Sequence, residues 1–175
     1  IETMRKVDTL VVDKTGTLTE GKPKLVTIKS LSSESEEDLL RLAGSLERES
    51  EHPLAAAIVQ GALERKINLE KIEKFQSITG KGTKAQISGR EIAIGNRALL
   101  TDLGISLGDS EGLANTLQEE GQTVMYVSIN GKLSGFIGVA DPIKETSIEA
   151  IRLLRESGMK VVMLTGDNRR TANAV

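Results

Sequence analysis

The chain has 175 residues, 38% of them hydrophobic, and a net charge of −2. That length suits one domain or two small ones with a packed core, and the near-balanced charge gives no ground for a nucleic-acid or anionic-membrane partner. The lack of cysteine excludes disulfides and thiolate metal sites. No apolar run approaches the ~18 residues that span a bilayer, so a soluble globular chain is expected.

Residues 7–12 predict a short buried strand that leaves Asp13 at its carboxyl end. Gly21 and Pro23 punctuate the exit, and Leu25, Val26 and Ile28 predict a second strand. Residues 32–37 are polar and acidic, suited to a loop and a helix start. Leu39, Leu42, Ala43 and Leu46 then recur at helical spacing as one buried face. Pro53 is placed as the first residue of a second helix, with Ala55, Ile58, Val59, Ala62 and Leu63 facing inward. From Phe75 to Asn96, isoleucines alternate with glycines, which predicts antiparallel strands turning at Ser88-Gly89. A helix is expected over 113–120, and strands over 124–129 and 133–139 joined by Asn130-Gly131. Ile148, Ile151 and Leu154 mark a last full helix, and residues 160–164 a further buried strand before Thr165-Gly166-Asp167-Asn168. One parallel-type strand, a long antiparallel excursion and a strand-helix-strand return predict a domain inserted into an α/β domain. The expected boundaries are 1–21, 22–134 and 135–175. The chain starts about a dozen residues before Asp13, has no initiator Met and stops inside an expected helix; a fragment of a longer protein is the expectation.

Asp13-Lys14-Thr15-Gly16-Thr17-Leu18-Thr19 is the segment richest in chemistry. Ligands of open α/β sheets bind at the carboxyl edge of the strands. A carboxylate there can attack a phosphoryl group and form an acyl phosphate, while a Gly/Thr turn offers N–H groups and hydroxyls to phosphate oxygens. The heptad resembles the phosphorylation signature of P-type ATPases. By that resemblance Asp13 accepts the γ-phosphate of ATP, Lys14 adds positive charge, Thr15 helps hold Mg²⁺ through its carbonyl beside Asp13, and Thr17 touches the phosphate. Phosphatases of the same superfold carry a general-acid Asp two places after the nucleophile. Here Thr15 stands there, which fits a phosphoenzyme that persists.

Ser50-Glu51-His52-Pro53-Leu54 contains the single histidine. On its own it reads as a helix start. It also resembles the signature of heavy-metal-transporting P-type ATPases, in which the His orients ATP and a Glu five residues upstream, here Glu47, bonds the adenine. On a helix Glu47 equally suits a solvated acid. Gly80-Lys81-Gly82 and Gly95-Asn96 resemble the same branch's G-x-G and G-N pairs, where glycine lets backbone approach the nucleotide; turn glycines are the plainer reading. No Walker A pattern surrounds Gly80. With three aromatic residues in the chain, Phe75, Tyr126 and Phe136, few rings could stack on a base. Asp141-Pro142-Ile143-Lys144 resembles the hinge back into the phosphorylation domain. In Thr165-Gly166-Asp167-Asn168 the resemblance gives Thr165 and the neighbouring N–H groups of Gly166 the phosphoryl group, and turns Asp167 toward hinge and nucleotide.

The resemblance implies an α/β fold: a partial, doubly wound, HAD-like phosphorylation domain carrying an inserted α+β nucleotide-binding domain, an antiparallel sheet flanked by helices. It implies ATP and Mg²⁺ as cofactors, and as partners ATP/ADP, the actuator and transmembrane domains of a parent pump and, for the parent, a metallochaperone. It implies a cytoplasmic placement on an integral membrane protein and a heavy-metal cargo, copper(I) first. A soluble phosphatase or phosphomutase with a cap domain is the alternative enzyme, and a non-catalytic nucleotide-binding module the alternative outside enzymology.

Overall fold

The computed structural model describes residues 7–166 and 169–175. Along β1 (Thr9–Asp13) Leu10 and Val12 turn partly inward while Thr9, Val11 and Asp13 face out. Residues 14–18 then make one turn, with Thr15 extended and Gly16 left-handed at φ 75°. β2 (Lys24–Ser30) leads to α1 (Glu36–Glu47), which opens on Ser35, whose hydroxyl accepts from the Asp38 N–H. α2 (Pro53–Glu64) opens on His52 and carries proline in its first turn, where no intrahelical donor is lost. β3 (Glu73–Ile78), β4 (Gly82–Ile87) and β5 (Arg90–Gly95) follow, then two short helices, α3 (Arg97–Asp102) and α4 (Glu111–Glu119). β6 (Thr123–Ile129) and β7 (Lys132–Ala140) form a hairpin, before α5 (Glu145–Glu156), β8 (Lys160–Leu164) and α6 (Arg169–Ala174). Ser88-Gly89 and Asn130-Gly131 hold φ of 49° and 78°, and 48° and 75°. Positive φ at both central residues is what a type I′ hairpin turn requires.

Two sheets result. β1 and β8 pair in parallel, and the other six strands form an antiparallel sheet in the order β2-β7-β6-β5-β4-β3. Alternation along the six strands sends side chains to two cores. On one face Val127, Ile129, Ile137 and Val139 pack with Leu39, Leu42, Leu46 and Ile58 of α1 and α2. On the other, Val124, Tyr126 and Phe136 pack with Leu100, Leu107 and Leu117 around α3 and α4. Tyr126 and Phe136 are cross-strand partners whose rings meet edge-to-face at 5.5 Å.

The structure adds three details to these expectations. The expected return point at residue 135 lies within β7, which pairs with β2 through Ala140 and with β6 through Val139. The Asn130-Gly131 turn commits the strand to β6 before it can join β1. The predicted buried strands at 7–12 and 160–164 are half-exposed: Val11, Val162 and Leu164 are open to solvent, Leu164 at 63%. An apolar run reports tolerance of burial and not the presence of a covering layer. A helix over 97–102 was not foreseen, because its single turn and a half carries too few apolar positions to show a period.

Candidate active site

Asp13 is the last residue of β1, and its register partner on β8 is Leu164. Asp13 and Thr165 therefore leave adjacent parallel strands at the same edge. Asp13, Thr15 and Thr17 are exposed, and Lys14 is the buried member of the loop. A Cβ added at Gly166 would meet nothing within 4 Å, so the backbone there is open to an approaching group. Asp167 lies outside the described residues.

The loop is held from behind by the crossing at 141–144. The fully buried Thr19 hydroxyl donates to Asp141 Oδ2 at 2.6 Å and accepts from the Gly16 N–H at 3.2 Å. The other oxygen of Asp141 accepts from the Lys22 N–H at 3.0 Å. The Glu20 N–H donates to the Pro142 carbonyl at 2.8 Å, and the Lys144 N–H to the Leu18 carbonyl at 2.9 Å. Lys144 Nζ donates to the Gly16 carbonyl at 2.7 Å. One carboxylate thus ties both crossings between the two sheets. No site role for Thr19, Asp141 and Lys144 was foreseen, because their partners stand up to 128 residues apart. The Asp-Pro pair marked the crossing but not what it holds.

At the other end, Glu47 closes α1 with 2% exposure. It is no solvated acid: Thr83 Oγ1 donates to its Oε1 at 2.7 Å. Burial pushes its pKa up, and hydrogen bonds from Thr83 and Ser50 pull it back toward the ordinary value. Ser50 Oγ also accepts from the His52 N–H at 3.4 Å. His52 is exposed and caps α2, its Nδ1 accepting from the Leu54 N–H at 3.2 Å. The helix-start reading is therefore realised as well, and with Nδ1 an acceptor the ring presents Nε2 outward as its donor.

Gly82 and Gly95 are directly paired across β4 and β5. A Cβ at Gly82 would stand 2.2 Å from the Ile94 carbonyl oxygen, and one at Gly95 2.2 Å from that of Lys81. The close approach that glycine permits at these two positions is between the chain's own strands. Gly80 differs: at φ 70° its missing Cβ faces empty space. Asn96 caps α3, accepting from the Leu99 N–H and donating Nδ2 to the Gly80 carbonyl at 2.7 Å. Its amide fixes the turn that follows β3. Through Ser50, Glu47, Thr83, Gly82, Gly95 and Asn96, one run of contacts gathers all six expected nucleotide residues at one end of the larger sheet. Tyr126 and Phe136 are buried against each other on the α3–α4 side, so neither ring is open to a base.

α6 follows the Thr165-Gly166 edge and rests on α4 and the loop after it. Arg170 donates to Asn115 Oδ1 at 2.6 Å, and Thr171 Oγ1 to the Gln122 carbonyl at 3.1 Å. A groove of about 580 Å³ runs along α5 between Leu18, Ile143, Ile148, Ile151 and Val175. Apart from Leu18 of the signature loop, it holds none of the expected site residues.

The haloacid dehalogenase-like hydrolase model matches residues 7–175. Among curated proteins, a copper-transporting P-type ATPase of Rhizobium leguminosarum bv. viciae is 50% identical over the whole chain, which spans 21% of that protein. A silver exporting P-type ATPase of Salmonella typhimurium is 43% identical, again over the whole chain and 21% of its own length. This chain thus spans about a fifth of the relatives it matches. Among solved structures, a zinc-transporting PIB-type ATPase in its E2.Pi state superposes on 96% of the chain with a TM-score of 0.74 at 36% identity, over 27% of its own length. The N-domain of a copper-transporting P-type ATPase matches 65% of this chain and 97% of itself, with a TM-score of 0.56 at 28% identity. With an acidic residue at the carboxyl end of a parallel strand, a long insertion behind it and a family match over residues 7–175, the chain belongs to the haloacid dehalogenase-like hydrolases.

Proposed function

We propose that this chain is the nucleotide-binding and phosphoryl-accepting region of a heavy-metal-transporting P-type ATPase, with copper(I) as the cargo of the parent protein. The gathering of Glu47, His52, Gly80, Gly82, Gly95 and Asn96 at one end of the larger sheet carries the reading. Relatives named for copper and silver transport support the heavy-metal class. In this reading residues 22–140 form the inserted nucleotide-binding unit, and 1–21 with 141–175 the base that bears Asp13. Among the described residues no helix is long and apolar enough to cross a membrane, and we place this region on the cytoplasmic side of the parent pump, beside its actuator and transmembrane domains. A metallochaperone would be a partner of that parent.

His52, with Nδ1 occupied, orients the base through Nε2, and the buried Glu47 carboxyl accepts from an amine on its edge. The open backbone at Gly80 leaves room beside the nucleotide. Asp13 attacks the γ-phosphorus in line with the leaving β-phosphate oxygen, and an aspartyl phosphate and ADP result. Thr17 and Thr165 donate to the phosphoryl oxygens, and the N–H of Gly166 adds to them. Asp13 and the Thr15 carbonyl fit a hard cation. Among the described residues no group of three His, Cys, Asp or Glu could hold a metal alone, so Mg²⁺ at this edge needs phosphate and water oxygens as well, as is usual for it. When bound, Mg²⁺ neutralises charge on the transferring group.

Calorimetric titration with ATP tests the reading. The chain should bind ATP, and His52→Ala should weaken binding by about 1–3 kcal/mol, the scale for losing a buried polar contact. Hydrolysis of small phosphate esters without nucleotide binding would instead favour the phosphatase alternative.

A further inference from the structure

Two crossings join the β1–β8 pair to the six-stranded sheet, one after Thr19 and one at 141–144, and they meet side by side in an antiparallel bridge between Thr19 and Ile143. Two adjacent crossings make a hinge, a few residues about which the larger pieces can turn. A third contact removes that freedom. α6 belongs to the β8 side of the chain, yet it is tied to α4 and to the loop before β6. Thr171, fully buried, donates to the Gln122 carbonyl at 3.1 Å, and Arg170 donates to Asn115 Oδ1 at 2.6 Å. Ala174 Cβ stands 3.6 Å from where a Cβ on Gly121 would be.

This third contact is small and polar, and each of its hydrogen bonds has a modest net worth. Contacts of that kind between units of one chain are the ones that open. Gln122 weakens it further. Its side chain is 5% exposed, and its Nε2 donates to Glu120 Oε2 at 3.1 Å. Its Oε1 is the one buried side-chain oxygen or nitrogen among the described residues without a hydrogen-bond partner. A buried acceptor left unpaired costs about as much as a neutral hydrogen bond gains. That oxygen lies against β7, where a Cβ on Gly138 would stand 2.0 Å from it. Gln122 thus sits between α6, which bonds its carbonyl, and the strand that leads to Asp141 and the hinge.

We propose that α6 is a breakable latch: seated on Gln122 and Asn115 it fixes the six-stranded sheet against the β1–β8 pair, and lifted off it lets that sheet turn about the two crossings. Lifting α6 also admits water to Gln122 Oε1, which offsets the bonds lost and keeps both arrangements populated. Because α6 follows the β8 edge that stands beside Asp13, the latch links the orientation of the larger sheet to the Thr165-Gly166 edge. The inference stands on contacts within this chain and needs no nucleotide.

The chain has no cysteine, so Lys132→Cys with Glu149→Cys places one spin label on each side of the hinge, both at exposed positions. Double electron–electron resonance without nucleotide should show a main distance that matches this structure and a smaller second one. Thr171→Val, which keeps the volume and removes the hydroxyl, should raise the second population relative to the first about three- to tenfold. Arg170→Ala should raise it less. Gln122→Met, which keeps the side-chain length and removes the unpaired acceptor, should lower it. Circular dichroism checks the folding of each variant, and should Thr171→Val fail to fold, Arg170→Ala, a change at an exposed side chain, carries the comparison. A folded Thr171→Val or Arg170→Ala protein with the distance distribution of the unaltered chain overturns the inference. So does faster amide exchange at 169–174 with no change in distance, the mark of a helix that frays alone. A second population that rises in Gln122→Met removes Gln122 from the latch and leaves α6 in it. With no nucleotide present, none of these outcomes bears on the nucleotide site proposed above.

Discussion

The two sheets of this molecule carry their functional residues in opposite ways. In the six-stranded sheet, most of the residues assigned to the nucleotide are part of the packing, while His52 and Gly80 stand open. Glu47 is buried, Gly82 and Gly95 touch backbone to backbone, and Asn96 caps a helix. In the β1–β8 pair, Asp13, Thr15 and Thr17 stand in solvent, and the support lies behind them in Thr19, Asp141 and Lys144. A substitution at Glu47, Gly82 or Gly95 should therefore alter stability and binding together. At the phosphoryl end, chemistry and stability are separable. The difference follows from covering layers: helices shield both faces of the larger sheet, whereas Val11, Val162 and Leu164 on the smaller one are open to solvent.

Gly82→Val tests this contrast most severely. Its Cβ would stand 2.2 Å from the Ile94 carbonyl at a φ of 148°, and a loss of about 3–5 kcal/mol is expected in thermal or denaturant unfolding, together with loss of nucleotide binding. Leu42→Ala and Leu164→Ala form a matched pair. The first side chain is fully buried and should cost about 2–5 kcal/mol; the second is 63% exposed and should change stability by no more than ~0.5 kcal/mol. Equal effects in that pair would erase the contrast.

Asp141→Ala removes the two crossing bonds that its carboxylate accepts and leaves the buried Thr19 hydroxyl without that partner. About 1–3 kcal/mol should be lost, with faster amide exchange at Gly16 and Lys22. Glu47→Gln should act through pH. Burial raises the pKa of Glu47 above its ordinary 4.5 in the folded chain, so the folded state holds that proton more tightly than the unfolded one. Its contribution to stability is greatest below the unfolded value and is lost as pH rises through the folded one. Glu47→Gln carries no such charge and can still accept from Thr83. Its stability relative to the parent should rise between pH 4.5 and neutrality, read from unfolding curves at each pH. The smallest effect belongs to Asp13→Asn: the exposed side chain should leave stability within ~0.5 kcal/mol while removing the proposed phosphoryl acceptor.

Features set by neighbours in sequence were legible. The Ser88-Gly89 and Asn130-Gly131 turns, the placement of Asp13 at a strand end, and the start of α2 at His52-Pro53 all follow from local residue chemistry. What depends on pairing at a distance was not. Nothing in residues 133–139 alone says that β7 lies between β2 and β6. Gly82 and Gly95 could be seen as positions that need close approach, but not as each other's reason. Apart from the family resemblance, Glu47 reads as an ordinary helical acid until Thr83, 36 residues on, meets it. The hold on the signature loop by Asp141 spans 122 residues and leaves no periodic trace.

Backbone NMR of the chain during titration with ADP, alongside His52→Ala, tests most directly whether the nucleotide sits on the inserted sheet. The account predicts shift changes concentrated at residues 47–52, 80–83 and 95–97, small changes at 13–17, and markedly weaker binding in His52→Ala. Shifts confined to the loop after Asp13, with His52→Ala binding as tightly as the parent chain, would contradict it.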